Sequence, residues 1–144
     1  MKKDFICIKD LSAKEIAEIF ALAKEIKANK SKFSTTLKGK SIGLVFQKPS
    51  LRTRVSFEVG VWELGGHCVY LGPEEINLGQ RESTHDVAKT LSRYLSGIVA
   101  RTFDHQIVVD LAKYATIPVI NGLSDLLHPC QALSDVFTIQ EKLK

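Results

Sequence analysis

Hydrophobic positions along this chain follow two spacings that take turns. From Ser12 the spacing is helical: Ile16, Ile19, Phe20, Ala23 and Ile26 fall on one face. Ser12 and Glu15 form a capping-box pattern ahead of them, with Leu11 and Ile16 placed as a hydrophobic staple. Residues 29–36, rich in Lys and Ser, read as a loop. A continuous apolar run over 42–46 then has the character of a strand buried on both faces. Residues 47–50 break it. Helical spacing returns over 52–64, with Val55, Val59 and Trp62 in one set and Phe57, Val61 and Leu64 in another. Both sets are expected to face the interior, Trp62 as a core residue. Gly65 and Gly66 supply the stop.

The same alternation continues to the end. Residues 67–71 predict a second strand and 72–81 a loop. Ser83 and Asp86 repeat the capping pattern before a helix carrying Val87, Leu91, Tyr94 and Leu95. Residues 98–100 are a third short strand, closed by Arg101. A helix over 105–114 turns Ile107, Val108, Leu111 and Ala112 inward. Residues 117–120 form a fourth strand, and Asn121-Gly122 signals a turn. Pro129 suits the first position of a last helix, which carries Leu133, Val136, Phe137 and Leu143. A leading helix followed by strand–helix repeats predicts an α/β fold. The expected form is one domain with an open, mostly parallel sheet flanked by helices on both faces.

Composition narrows the class. At 144 residues, 44% hydrophobic and 25% charged, the chain excludes disorder and is long enough for a real core. It lacks the roughly 18-residue apolar run of a membrane span. Residues 1–30 are charged and helix-patterned, unlike a secretory signal. Three cysteines without a C-x-x-C pair fit neither a disulfide framework nor a zinc site, which predicts a reducing, cytoplasmic setting. The net charge of +4 hints at an anionic ligand. The clustered aromatics and basic stripe of nucleic-acid binders are missing.

Open α/β sheets bind ligands beyond the carboxyl ends of their strands. The first strand is followed there by Lys48-Pro49-Ser50-Leu51-Arg52-Thr53-Arg54, two hydroxyls and two guanidiniums where a loop becomes a helix. A helix N-terminus with Arg beside it suits a phosphate-like anion. A solvated basic helix start would show the same residue types. No G-x-x-x-x-G-K-[ST] or G-x-G-x-x-G occurs, which argues against a nucleotide loop. The fourth strand leads to His128-Pro129-Cys130-Gln131. A neutral His at a helix N-terminus donates to a carbonyl oxygen, and Gln suits an amide-like group. The plainer alternative is a capping His and a Gln facing water. Cys130 reads as a buried structural thiol rather than a nucleophile. Arg101 is either a snorkelling side chain or a group aimed into the cleft. His67 and His85 give no metal spacing with Cys68 and Asp86.

The segment Phe46-Gln47-Lys48-Pro49-Ser50-Leu51-Arg52-Thr53-Arg54-Val55-Ser56-Phe57-Glu58 resembles the carbamoyl-phosphate motif of the aspartate/ornithine carbamoyltransferase family. His128-Pro129-Cys130-Gln131-Ala132-Leu133-Ser134-Asp135 resembles that family's second motif, in the H-P-C-Q form of its ornithine branch. Gly79-Gln80-Arg81-Glu82-Ser83 and Val99-Ala100-Arg101 match in order between them. The resemblance implies a carbamoyl-phosphate-binding domain over 1–144, with the second, ornithine-binding domain absent from this chain. It implies Ser50, Arg52 and Thr53 as a phosphate cradle, with the Leu51 amide contributing and Arg54 supporting the loop. It implies Arg101, His128, Gln131 and Thr53 at the carbamoyl end. Gln80 is implied to reach the ligand of a neighbouring subunit in a homotrimer or larger assembly. The implied reaction is transfer of the carbamoyl group to the δ-amine of L-ornithine in arginine biosynthesis, giving citrulline and phosphate with neither metal nor organic cofactor. Aspartate, putrescine or an acylated ornithine as acceptor stays open, as does a non-catalytic anion-binding module. Leu51 departs from the family pattern, which has Thr there, and removes one hydroxyl from the cradle.

Overall fold

The computed structural model describes residues 3–78 and 81–143. A 3-10 turn at Ile8–Asp10 leads into α1 (Ala13–Ala28). β1 (Ser41–Phe46), α2 (Leu51–Glu63) and β2 (His67–Leu71) follow, then a four-residue helix α3 (Pro73–Ile76) inside the stretch expected to be loop. α4 (Thr84–Tyr94), β3 (Gly97–Arg101), α5 (His105–Tyr114), β4 (Val119–Leu123) and α6 (Pro129–Lys142) complete the order. The strands are all parallel, in the spatial order β2-β1-β3-β4. The sequential order therefore reverses between β1 and β3, the switch point at which doubly wound sheets open a crevice.

Alternation along each strand sends side chains to two cores. Val45, Ile98, Ala100 and Val119 meet Val87 and Ala88 of α4 and Val108 and Leu111 of α5. Leu44, Phe46 and Val99 face the other way, against Phe57 of α2, Tyr70 and Ile120. α1 lies against α6, where the Phe20 and Phe137 rings are 5.4 Å apart. The caps expected from the sequence are made. Ser12 Oγ accepts from the Glu15 N–H while Glu15 accepts from the Ser12 N–H, and Ser83 Oγ accepts from Asp86 N–H. Gly65, with φ of 83°, ends α2 where any Cβ would fall 2.3 Å from the Ser34 carbonyl oxygen.

Two expectations need correction. Val55, Val59 and Trp62 are exposed, Trp62 by 75%, whereas Val61 is buried. At 3.6 residues per turn their stripe and that of Phe57, Val61 and Leu64 lie about 180° apart, and a helix on a sheet buries only one of them. Tyr94 of α4, Val136 of α6 and Leu143 just past the end of α6 are exposed as well. Finally, Asn121-Gly122 is no turn. β4 continues through it to Leu123, because the Asn121 N–H donates to the Phe5 carbonyl at 2.8 Å and the Phe5 segment bridges Ile120. A long-range pairing outweighs the local turn preference. Gly122 allows this: a Cβ there would crowd Val99 Cγ1 at 3.1 Å and the Ala100 oxygen at 3.2 Å.

Candidate functional site

Two helix N-termini meet over the switch point. α2 begins directly beyond β1, with Ser50 as its cap: Ser50 Oγ accepts from the Thr53 N–H at 3.3 Å. The first turn of α2 aims backbone N–H groups and the positive end of its dipole out of the helix. α6 begins beyond β4 with His128 at the cap position and Pro129 first in the helix. Between them lies a cleft of about 280 Å³, lined by Arg52, Thr53 and Phe57 from one side and His128, Cys130 and Gln131 from the other.

Arg101, at the end of β3, lies behind the cleft wall and, like Ser50, is not among the residues that line the cleft. Its Nη1–H donates to Thr53 Oγ1 at 3.2 Å, which fixes the guanidinium against the first turn of α2. Its Nε is buried without a partner among the described residues, as is His128 Nδ1. Buried polar atoms are nearly always satisfied. Asn121 Oδ1 is a third atom without a partner among the described residues, so these unpaired groups lie beneath and beside the cleft, and of the three residues only His128 lines it. His128 makes no side-chain capping bond, so the plain capping role is not seen here. Burial first and the Arg101 cation second hold its imidazole below the usual histidine range, against an opposing pull from Asp135. The ring is thus biased to the neutral form, able to donate one N–H and accept at the other nitrogen.

Leu51 is 77% exposed at the first position of α2, and its side chain offers no polar atom to the cleft mouth. Arg54 does not line the cleft. Its guanidinium carbon lies 3.8 Å from the Tyr70 ring centroid, and its Nε–H donates to Glu58 Oε1 at 3.0 Å. Gln131 lines the cleft while its amide N–H donates to Asp135 Oδ1 at 2.8 Å, one of its two donors. Gln80 lies outside the described residues. Cys130 is partly buried and its thiol donates to the Asn121 carbonyl at 3.5 Å. Burial pushes its pKa up to about 11, so it stays a thiol and supplies no nucleophile near neutral pH.

Ser56, Phe57 and Ser134 of the cleft wall carried no signal as chemistry. Their helical spacing from Thr53 and Cys130 is the one clue that sequence offers. Among the described residues no three His, Cys, Asp or Glu side chains gather as a metal site.

A model of the family described as "Aspartate/ornithine carbamoyltransferase, carbamoyl-P binding domain" matches residues 3–141. Ornithine carbamoyltransferase of Shewanella oneidensis is 50% identical over 139 residues, 96% of this chain and 46% of that protein. The solved ornithine carbamoyltransferase of Pyrococcus furiosus superposes with a TM-score of 0.94 at 51% identity, over 97% of this chain and 45% of its own. A solved N-acetyl-L-ornithine transcarbamylase variant, complexed with carbamyl phosphate and N-succinyl-L-norvaline, gives a TM-score of 0.88 at 35% identity, over 98% and 48%. The chain spans about half the length of the relatives it matches.

Proposed function

The chain belongs to the aspartate/ornithine carbamoyltransferase family, and from that premise we propose that it is the carbamoyl-phosphate-binding half of an ornithine carbamoyltransferase. The observation that carries the reading is the convergence of Arg52 and Thr53 with His128 and Gln131 on one cleft, with Arg101 tied to Thr53 at 3.2 Å. In this reading the phosphate sits at the start of α2, held by Arg52, the Ser50 and Thr53 hydroxyls and the Leu51 N–H, with Arg54 bracing the helix from outside. Arg101, His128 and Gln131 hold the carbamoyl end.

The chemistry follows from charge. The δ-amine of ornithine attacks the carbamoyl carbon, and negative charge grows on the carbonyl oxygen. Arg101 and the neutral His128 donate to that oxygen, and preorganised donors of this kind contribute about 2.7–4 kcal/mol each. The C–O bond to phosphate then breaks, the attacking nitrogen gives up one proton to the departing phosphate, whose charge is held at α2, and the products are citrulline and phosphate. Catalysis is positioning plus electrostatics, with no covalent enzyme intermediate.

We propose further that the groups gripping ornithine's α-carboxylate and α-amine lie in the half of its relatives' length that this chain does not span. Copies associate as a homotrimer or larger assembly, for which the uncovered stripe Leu51, Val55, Val59 and Trp62 gives support. Gln80 is assigned to a neighbouring copy's ligand. A cytoplasmic setting agrees with three free cysteines, and no helix among the described residues is long and apolar enough to cross a membrane.

The deciding assay uses the full-length protein carrying this domain, supplied with carbamoyl phosphate and ornithine, aspartate or N-acetylornithine in parallel. Citrulline from ornithine is expected. Carbamoylation of aspartate or N-acetylornithine in preference would overturn the assignment. The 144-residue chain alone is expected to bind carbamoyl phosphate without appreciable turnover.

A further inference from the structure

His128 has no capping bond of its own, so its place depends on the turn that delivers it. That turn, residues 124–127, joins β4 to α6. Within it the Ser124 N–H donates to the Leu127 carbonyl at 2.9 Å, and the Leu127 N–H donates back to Ser124 Oγ at 3.2 Å. Ser124 is 3% exposed. The turn is also held from outside, by the start of α5. The His105 backbone N–H donates to Asp125 Oδ1 at 2.9 Å, and His105 Nδ1 lies 2.8 Å from Ser124 Oγ. The Asp125 N–H donates to the Phe103 carbonyl at 3.0 Å. The 2.8 Å contact is one hydrogen bond in either protonation state. Ser124 O–H donates to a neutral Nδ1, or Nδ1–H donates to the Ser124 oxygen.

From this geometry we infer that His105, through Ser124, is a positioning residue for His128. It lies outside the cleft and touches neither Arg52 nor the cradle. Its imidazole fixes the one hydroxyl that closes the 124–127 turn, and the turn sets the cap conformation of His128 (φ −132°, ψ 72°) ahead of Pro129. Pro129 disfavours helical backbone for the residue before it, and His128 lies outside both the helical and the extended regions. The orientation left free is the one the turn decides. A half-buried histidine donor that must meet a carbonyl oxygen tolerates little error, since a displacement of about 1 Å costs on the order of a hundredfold in productive geometry.

The inference rests on the proposed carbamoyl-phosphate reading, and the test separates the two. The 144-residue chain, with its His105→Ala, His105→Asn and Ser124→Ala variants, is titrated with carbamoyl phosphate and, separately, with inorganic phosphate. The His128 ring resonances are followed by NMR in each protein. His105→Ala and Ser124→Ala are expected to weaken carbamoyl phosphate at least fivefold, to leave inorganic phosphate within twofold, and to shift the His128 resonances. His105→Asn, whose amide occupies the place of Nδ1, is expected to restore both readouts. Combining His105→Ala with Ser124→Ala should add nothing beyond Ser124→Ala, which already removes the His105 contact together with the bond from the Leu127 N–H. Unmoved His128 resonances in His105→Ala would overturn the positioning role. Equal weakening of both ligands would overturn it too, by placing the damage in the cradle or the fold. Failure of the unaltered chain to bind carbamoyl phosphate would overturn the functional reading instead, while the resonances still decide the positioning role. If His105→Ala does not fold, Ser124→Ala and His105→Asn carry the same comparison.

Discussion

On one face of the sheet, α4 and α5 bury Val87, Ala88, Val108 and Leu111 against Val45, Ile98, Ala100 and Val119. On the other, α2 packs Phe57 against Leu44, Phe46 and Val99 while α6 lies against β4, and the two helices leave a cleft of about 280 Å³ lined by Arg52, Thr53, His128 and Gln131. The first face is sealed by apolar contact and carries fold stability. The second gives up closure to bring cations and neutral donors together at the switch point, and α2 keeps an apolar stripe uncovered as well. Under the proposed function, the less finished face is the one assigned to the ligand, and the sealed face is the one assigned to stability.

Substitutions that hit one face and spare the other break this comparison most sharply. Leu111→Ala, in the sealed core, is expected to cost about 2–5 kcal/mol of folding free energy, a large share of a domain's usual total of about 5–15 kcal/mol. Denaturant unfolding would show it, while the folded fraction keeps its affinity for carbamoyl phosphate. Leu51→Thr acts on the other face and returns the missing hydroxyl to the cradle. It is expected to tighten carbamoyl phosphate by about 1 kcal/mol, some fivefold, with melting almost unmoved. Trp62→Glu, on the exposed stripe, should change stability by no more than about 0.5 kcal/mol. Sedimentation of the full-length protein should nevertheless move toward smaller species.

The smallest expected effect is a pH dependence at His128. The folded imidazole protonates below its ordinary range, held down chiefly by burial and then by Arg101. The unfolded chain takes up its proton near pH 6.5. The contribution of neutral His128 is therefore full above that value and declines as pH falls below it, because the unfolded state binds the proton first. His128→Gln should flatten the stability profile between pH 7 and 5.5 relative to the unaltered chain. A steeper profile in the variant would contradict the assignment.

Most of the fold was legible because the two periods alternate so cleanly and because Ser12, Ser83 and Gly65 mark helix ends by local chemistry. What escaped was decided at a distance. Asn121-Gly122 has a turn's local chemistry, yet pairing with Phe5, over a hundred residues away, draws it into β4. Val55, Val59 and Trp62 are as apolar as their buried neighbours, and only the sheet's position decides which stripe is covered. The cleft divides the same way. Arg52, Thr53, His128 and Gln131 stand out because they sit together in two short motifs. The bond from Arg101 to Thr53 joins residues 48 apart, and that from His105 to Ser124 joins residues 19 apart. No spacing rule announces either.

The central claim is that α2 and α6 together form a carbamoyl-phosphate site on this chain. Calorimetric titration of the 144-residue chain with carbamoyl phosphate, repeated on Arg52→Ala, tests it most directly. Saturable one-site binding is expected, weakened in Arg52→Ala by about 1.5–3 kcal/mol, roughly ten- to a hundredfold, as a lost charged hydrogen bond implies. Equal affinity in both proteins, or no binding to the unaltered chain, would contradict it.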